Sequence, residues 1–301
     1  SEYTQYIKAK TEFENPLNTE APLAEFTFTN KAETRSTLIT AQHPLWVDID
    51  VEAFYTGSLD NTPDLNLLRA IPQLIGEENY TLQSALIAPT ITQMRASNTK
   101  YPDWVIERYL QLPPDLPKSI LDLSKQLSQG QSSPYNTARI ITTYLRTEIT
   151  YSEEIPSPPR RSDPIEWFLF TWKEGFCNYS ASAEVLLLRA AGIPARLVVG
   201  FAQGTRDTNG NFVVLQKDAH AWPEVFFPEI GWVEFEPTVN QALLIRPSGA
   251  TQTDEELDDM FSLRDQLNLN DEANLTPPEE VLEEDISIPE FIVDDPEADR
   301  R

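Results

Sequence analysis

The chain holds one cysteine and two histidines in 301 residues. Cys177 stands in "EGFCNYSASAEVLLLRAAGIPAR" (174–196), directly after Gly-Phe and at the start of an apolar run. A thiol at the start of a helix faces unpaired backbone N–H groups and the positive end of the dipole, which stabilise a thiolate. The same N–H groups can hold an oxyanion. A lone cysteine is more often core filling, but filling would sit mid-helix, at a position such as Val185. Gly175 is read as permitting close approach of a substrate backbone. Thiol nucleophiles need a base. His43 precedes Pro44 at the edge of a strand-rich stretch, outside the unit that carries the thiol, and is read as structural. His220, in "DAHAWPEV", lies on a predicted strand of the same unit and is the candidate base. Asp218, Glu224, Glu234 and Glu236 are the candidates to orient its ring.

Strand geometry narrows that set. Asp218 and Glu224 share a face with His220, but residues two apart project side by side. A carboxylate on the neighbouring strand reaches better. "DAHAWPEVFF" and "WVEFEPT" read as two strands around "PEIG". If Phe227 pairs with Trp232, His220 lies opposite Val239 and Glu236 faces away. If the turn is one residue shorter, or a bulge intervenes, His220 lies opposite Thr238 and Glu236 is its diagonal neighbour. Bringing Glu236 to His220 therefore requires an odd-length turn or a bulge between 227 and 236.

The elements that must position these groups divide the chain at residues 1–100, 101–250 and 251–301. Residues 1–20 read as an extended or frayed lead-in. From 23 to 92 the pattern is β: "AEFTFTN" alternates, "STLIT" is β-branched and "PLWVDIDVEAFY" has period two. This predicts a small β-sandwich or sheet domain. "YPDWVIERYLQLPPDLP", with four prolines, reads as a connection. Helices follow over "PKSILDLSKQLSQG", "SSPYNTARIITTYLRTEI" (Ser133 as N-cap, Pro134 at N1) and "SDPIEWFLFTW" (Asp163 as cap, Pro164 at N1, Glu166 at N3). The helix beginning at Cys177 is apolar on most sides, so it is buried, and Gly192 with Pro194 ends it. "ARLVVGFAQ" and "FVVLQ" read as a hairpin around Asn-Gly. The second unit is therefore α+β: a buried Cys-bearing helix against an antiparallel sheet, preceded by a small β-rich domain.

Net charge is −25, but unevenly spread. From 252 to 301, 18 Asp and Glu stand against 3 Arg, a net −15, which leaves −10 for residues 1–251. Such a tail reads as solvated and largely disordered. An acidic surface argues against a nucleic-acid partner. One cysteine excludes an intrachain disulfide, and two histidines with one cysteine make Cys/His zinc binding improbable. No apolar run reaches the ~18 residues of a membrane span, and "SEYTQYIKAK" is no signal peptide. No metal or cofactor is expected. Trp222 and Trp232 read as sheet packing before a substrate wall. Tyr151 is a candidate donor to an oxyanion.

"GFCNYSASAEVLLLRAAGIPARLVVGFAQG" followed by "DAHAWPEVFFPEIGWVEFEPT" resembles the transglutaminase-like superfamily, and within it the bacterial membrane-anchored TgpA-like branch. The resemblance is strong over about 135–245 and extends weakly back to about 80. It implies a papain-like Cys-His-acid triad in which Cys177 matches the nucleophile, His220 the base and Glu236 the third position, where many relatives carry Asp. It also implies an extracytoplasmic domain of a membrane-anchored parent chain. Its implied reaction is acyl transfer from a glutamine carboxamide to lysine or a small amine through a thioester. Resolution of that thioester by water would make the same machinery a cysteine protease or amidase. A non-catalytic interaction module is the third reading.

Overall fold

The structure is a computed structural model that describes residues 2–13, 21–58 and 61–249. The acidic stretch 252–301 and its expected disorder lie outside the described residues.

The first part is a sandwich of two antiparallel sheets. Strands β1 (Glu2–Ile7), β2 (Leu23–Thr29), β3 (Thr34–Thr37), β4 (Pro44–Val47), β5 (Val51–Ser58), β6 (Asn61–Ile75) and β7 (Asn79–Ala85) form sheets of order β1-β5-β6-β3 and β2-β7-β4. Their inner faces share a core that includes Val47, Val51, Ala53, Tyr55, Leu68 and Leu82. Val51, Ala53 and Tyr55 are buried while the residues between them are partly exposed, the period-two signature of a one-sided strand. Of the expected extended or frayed lead-in, residues 2–7 are extended, as β1. Ile7 pairs with Val51, and Tyr3 stacks on Tyr55 at 5.3 Å. The period-two stretch 44–55 is two strands, β4 and β5. Asp48 and Asp50 break it, because their carboxylates accept the N–H of Thr81 (2.7 Å) and of Ala9 (2.8 Å).

The second part is helical, then β. It runs α1 (Ile91–Ala96), α2 (Asp103–Tyr109), α3 (Lys118–Ser128), α4 (Pro134–Glu148), β8 (Thr150–Tyr151), α5 (Pro164–Trp167), β9 (Glu174–Gly175), α6 (Cys177–Ala190), β10 (Ala195–Phe201), β11 (Thr205–Arg206), β12 (Phe212–Val213), β13 (Ala219–Phe227) and β14 (Gly231–Glu234). One sheet has the order β10-β13-β14. Helix α6 packs against it with α3 and α4, in a core that includes Ala183, Leu187, Leu188, Ile141, Val225 and Phe235. The buried Ser124 hydroxyl of α3 donates to the Leu187 carbonyl at 2.7 Å, which ties two of these helices.

The capping signals hold in part. Ser133 Oγ accepts the Asn136 N–H, and Asp163 Oδ1 accepts those of Ile165 and Glu166. Glu166 does not close a box; it accepts the Ser119 hydroxyl instead. Gly192 (φ +77°) and the Ile193 N–H to Leu188 carbonyl bond of 3.0 Å end α6.

Three elements differ from the sequence reading. α1 was not expected; Thr90 and Gln93 close a capping box at its start. The proline-rich "connection" contains α2, since its prolines flank rather than interrupt residues 103–109. Val105 and the rings of Trp104 and Tyr109 pack on Phe226 and Trp232. β10 pairs with β13 along its whole length, whereas the Asn-Gly turn joins only the two-residue strands β11 and β12.

Candidate active site

The turn between β13 and β14 decides the site. Phe227 pairs with Gly231 and Glu224 with Glu234, so Pro228–Ile230 make a three-residue turn. The Phe235 N–H to Pro223 carbonyl bond (2.9 Å) carries the same register one step further. This is the odd-length turn that the register argument required. Glu236 Oε2 lies 2.7 Å from His220 Nε2, and Glu236 Oε1 accepts the Thr238 N–H at 2.8 Å.

The other candidates for the third group are occupied elsewhere. Asp218 accepts the Leu215 N–H at 2.7 Å. Glu224 pairs with Arg196 at 2.6 Å. Glu234, raised by its burial, faces Arg246. His43 sits between the two parts of the chain, its Nε2 3.3 Å from the Trp232 carbonyl, and burial lowers its pKa. Toward that carbonyl the ring nitrogen is a donor.

Cys177 opens α6, and Phe176 before it provides no side-chain cap. The helix therefore presents its first N–H groups and dipole at the thiol. Cys177 Sγ donates to Asn178 Oδ1 at 3.7 Å and lies near enough to His220 to act on its proton. Because Nε2 is held by Glu236, Nδ1 is the ring atom left for sulfur. Burial lowers the His220 pKa, but the hydrogen bonds to Cys177 and Glu236 and their charges outweigh it and raise the group to about 9. At neutral pH this ring is an imidazolium whose Nε2 donates to Glu236.

That shift has a consequence for stability. A histidine raised above its unfolded value of about 6.5 contributes stability that is complete below that pH and is lost as pH rises through about 9. The Tm should fall between pH 7 and 9.5, and His220→Gln should flatten that fall. An equally steep fall in His220→Gln would place the titrating group elsewhere.

Gly175 has a different role from the one expected. It is buried, and a Cβ there would lie 2.8 Å from Phe168 Cε2 and 3.4 Å from Tyr179 Cβ. Glycine makes room for the fully buried Phe168 ring, not for substrate. Gly175→Ala should cost about 1–3 kcal/mol in denaturant unfolding. An unchanged midpoint would show that the ring can move aside.

Two aromatic expectations resolve differently. Trp232 is buried, 4.4 Å from the Arg196 guanidinium, and is packing. Trp222 stacks beside His220 at 5.9 Å, and a Cβ on Gly200 would meet its ring at 2.9 Å, so that glycine lets the indole lie flat next to the base. Tyr151 pairs with Gly175 close to Cys177, but its hydroxyl donates to Glu153 Oε1 at 2.6 Å. Its one proton is already committed, which weakens it as an oxyanion donor.

Sequence reading missed three residues beneath the site. Thr142 and Arg146, one turn apart on α4, and Glu184 on α6 cluster there. A carboxylate inside an otherwise apolar helix, "ASAEVLLL", was the signal that could have found Glu184.

Comparison with known proteins gives a family likeness and a fold. The family model of the transglutaminase-like superfamily matches residues 121–237. The uncharacterized protein YebA of Bacillus subtilis (strain 168) is 40% identical over 139 residues, 44% of this chain and 19% of that protein. A protein-glutamine gamma-glutamyltransferase of Pseudomonas aeruginosa is 36% identical over 137 residues, 45% of this chain and 20% of that protein. The matches thus span about a fifth of these relatives' length. The crystal structure of the periplasmic domain of TgpA from Pseudomonas aeruginosa, bound to ethylmercury, superposes with a TM-score of 0.58 at 23% identity, covering 79% of this chain and 76% of that one. At that identity the likeness is one of fold: mixed helix and antiparallel sheet behind a small β-rich region. No helix among the described residues is long and apolar enough to cross a membrane.

Proposed function

We propose, from the match of residues 121–237 to the transglutaminase-like family model, that the protein transfers the acyl group of a glutamine side chain to a primary amine, with Cys177 as nucleophile, His220 as acid and base, and Glu236 orienting His220. The observation that carries this reading is the 2.7 Å bond between His220 Nε2 and Glu236 Oε2, which leaves Nδ1 free for the thiol.

The steps follow from the charges. Cys177 thiolate attacks the carboxamide carbon, and the oxygen becomes an oxyanion at the N-terminus of α6. The C–N bond breaks as the His220 imidazolium gives its proton to the leaving amide nitrogen, which departs as ammonia. A thioester and a neutral imidazole remain. An incoming amine attacks the thioester carbon, neutral His220 takes its proton, and the C–S bond breaks to return thiolate and imidazolium. Glu236, bonded to Nε2, holds the ring in the tautomer that points Nδ1 at sulfur. It carries one methylene more than aspartate, and the Thr238 N–H on its second oxygen fixes the longer side chain. The substrates are a protein or peptide glutamine and a lysine or small amine. On this reading the domain is extracytoplasmic and its parent chain membrane-anchored; a shared fold with a periplasmic domain supports the first of these.

Water in place of the amine would make the product a carboxylic acid and the activity that of an amidase or protease. The two outcomes separate in one assay: ammonia release from a glutamine-bearing protein, with and without a fluorescent primary amine. Amine incorporation at the expense of free acid supports transfer. Ammonia release with no label incorporated identifies hydrolysis. Neither product, from wild type with a reactive thiol, leaves the interaction-module reading.

A further inference from the structure

Glu236 lies past the last paired residue of β14, so the strand ladder does not fix its main chain. Pro237 follows and has no N–H to donate. What holds this segment is Arg146 of α4. Its Nη1 donates to the carbonyls of Glu236 (3.1 Å) and Thr238 (2.6 Å), and its Nη2 to those of Gln241 (2.9 Å) and Val239 (3.4 Å). The two terminal nitrogens have four N–H groups, and all four find a carbonyl. Only a planar guanidinium has this fork; an ammonium cannot present it.

Beside Arg146 lies a carboxyl group that leaves its charge alone. Glu184 is fully buried. Thr142 Oγ1 lies 2.6 Å from Glu184 Oε1 and 2.9 Å from the Ala138 carbonyl. A hydroxyl has one proton, so it cannot donate fully to both. The pattern closes if Thr142 donates to Ala138 and Glu184 is protonated and donates to Thr142. Glu184 Oε2 has no hydrogen-bond partner among the described residues, which a neutral carbonyl tolerates far better than a carboxylate. Burial, and the charge of Glu236, raise Glu184 to about 8 against the opposing pull of Thr142 and Arg146.

On the triad reading above, we propose that Arg146 is a positioning residue that sets the Glu236 carboxylate against His220 by gripping the four carbonyls from 236 to 241, with Glu184 held as a neutral acid so that the guanidinium stays committed to them. Arg146 touches no reacting atom; it acts through Glu236.

The two histidines make the test direct, since each imidazole can be followed by NMR. In the wild type one should titrate near 9 (His220) and the other below its ordinary value (His43). Arg146→Lys keeps the charge but loses the fork, and should lower the His220 midpoint by roughly one unit or more, toward about 6.5. Cys177 alkylation at pH 6.5 should slow about tenfold, with the His43 midpoint and the amide spectrum unchanged. Arg146→Met gives the sign. Loss of a nearby cation alone would move His220 upward; loss of the Glu236 bond moves it downward. Glu184→Gln, neutral like the acid it replaces, should leave the His220 midpoint within a few tenths of a unit.

A His220 midpoint unmoved in Arg146→Lys, or raised in Arg146→Met, overturns the inference. A fall in Glu184→Gln as large as in Arg146→Lys would show that Glu184 is ionised and overturn its part. Wild-type His220 titrating at an ordinary value would sink the triad reading itself, which is a distinct result.

Discussion

Cys177→Ala should abolish amine incorporation, by at least about 10⁴-fold, while the Tm stays within a few degrees. The size follows from the chemistry: without sulfur no thioester forms, and what remains is the binding and oxyanion contribution alone. The small stability change follows from position. Cys177 is part-exposed at a helix start and makes no core contact of the kind Leu187 or Leu188 makes. Cys177→Ser should be nearly as inactive, since a hydroxyl at this site is a far weaker nucleophile than a thiolate. Residual activity above about 1% in Cys177→Ala would mean that the transfer does not pass through this residue.

The second large effect lies far from the thiol. Arg196 on β10 joins Asp64 on β6 of the sandwich to Glu224 on β13, at 3.0 and 2.6 Å. Tyr109 of α2 also donates to Asp64. Asp64 and Glu224 are nearly buried, and Arg196 keeps about a fifth of its side-chain surface. Asp64→Ala leaves a guanidinium half-paired and a phenol without its acceptor. Removing one member of a buried pair costs about 3–5 kcal/mol, and the residual exposure of Arg196 puts this case near 3. The Tm should drop by roughly 10 °C, and protease sensitivity should rise around residues 86–90, between the two cores. Replacing all the charged members at once with apolar residues should cost less than Asp64→Ala does. A Tm change under about 2 °C in Asp64→Ala would show that the sandwich is held by its apolar contacts alone.

The parts of the site legible in the sequence are those fixed locally or by counting. Cys177 at a helix start could be read from the apolar run behind it and from Gly192 and Pro194 at its far end. The bond between His220 and Glu236 could be read conditionally, because strand parity turns on one residue in the Pro228–Ile230 turn. What was misread depends on distant partners. Gly175 looked like a substrate approach because nothing near it in sequence reveals that the Phe168 ring fills the space. The Asn-Gly turn pointed to a local hairpin, whereas β10 found β13 across residues 202–218, where Val225 and Ala195 could be buried together. The prolines around α2 masked an apolar face completed only by Phe226 and Trp232. Arg146 drew no reading, since its four carbonyl partners lie 90 to 95 residues further on.

The central claim is that Cys177 and His220 act as a pair. Its most direct test is the rate of Cys177 alkylation by iodoacetamide at pH 6.5, in wild type and in His220→Ala; Cys177 is the chain's only cysteine, so the label reports it alone. The account predicts fast modification in wild type that slows by about 100-fold or more without the imidazolium, because the thiolate is the reacting form. Equal rates in the two proteins would contradict it, and Cys177 would then be a helix-terminal thiol with no catalytic partner.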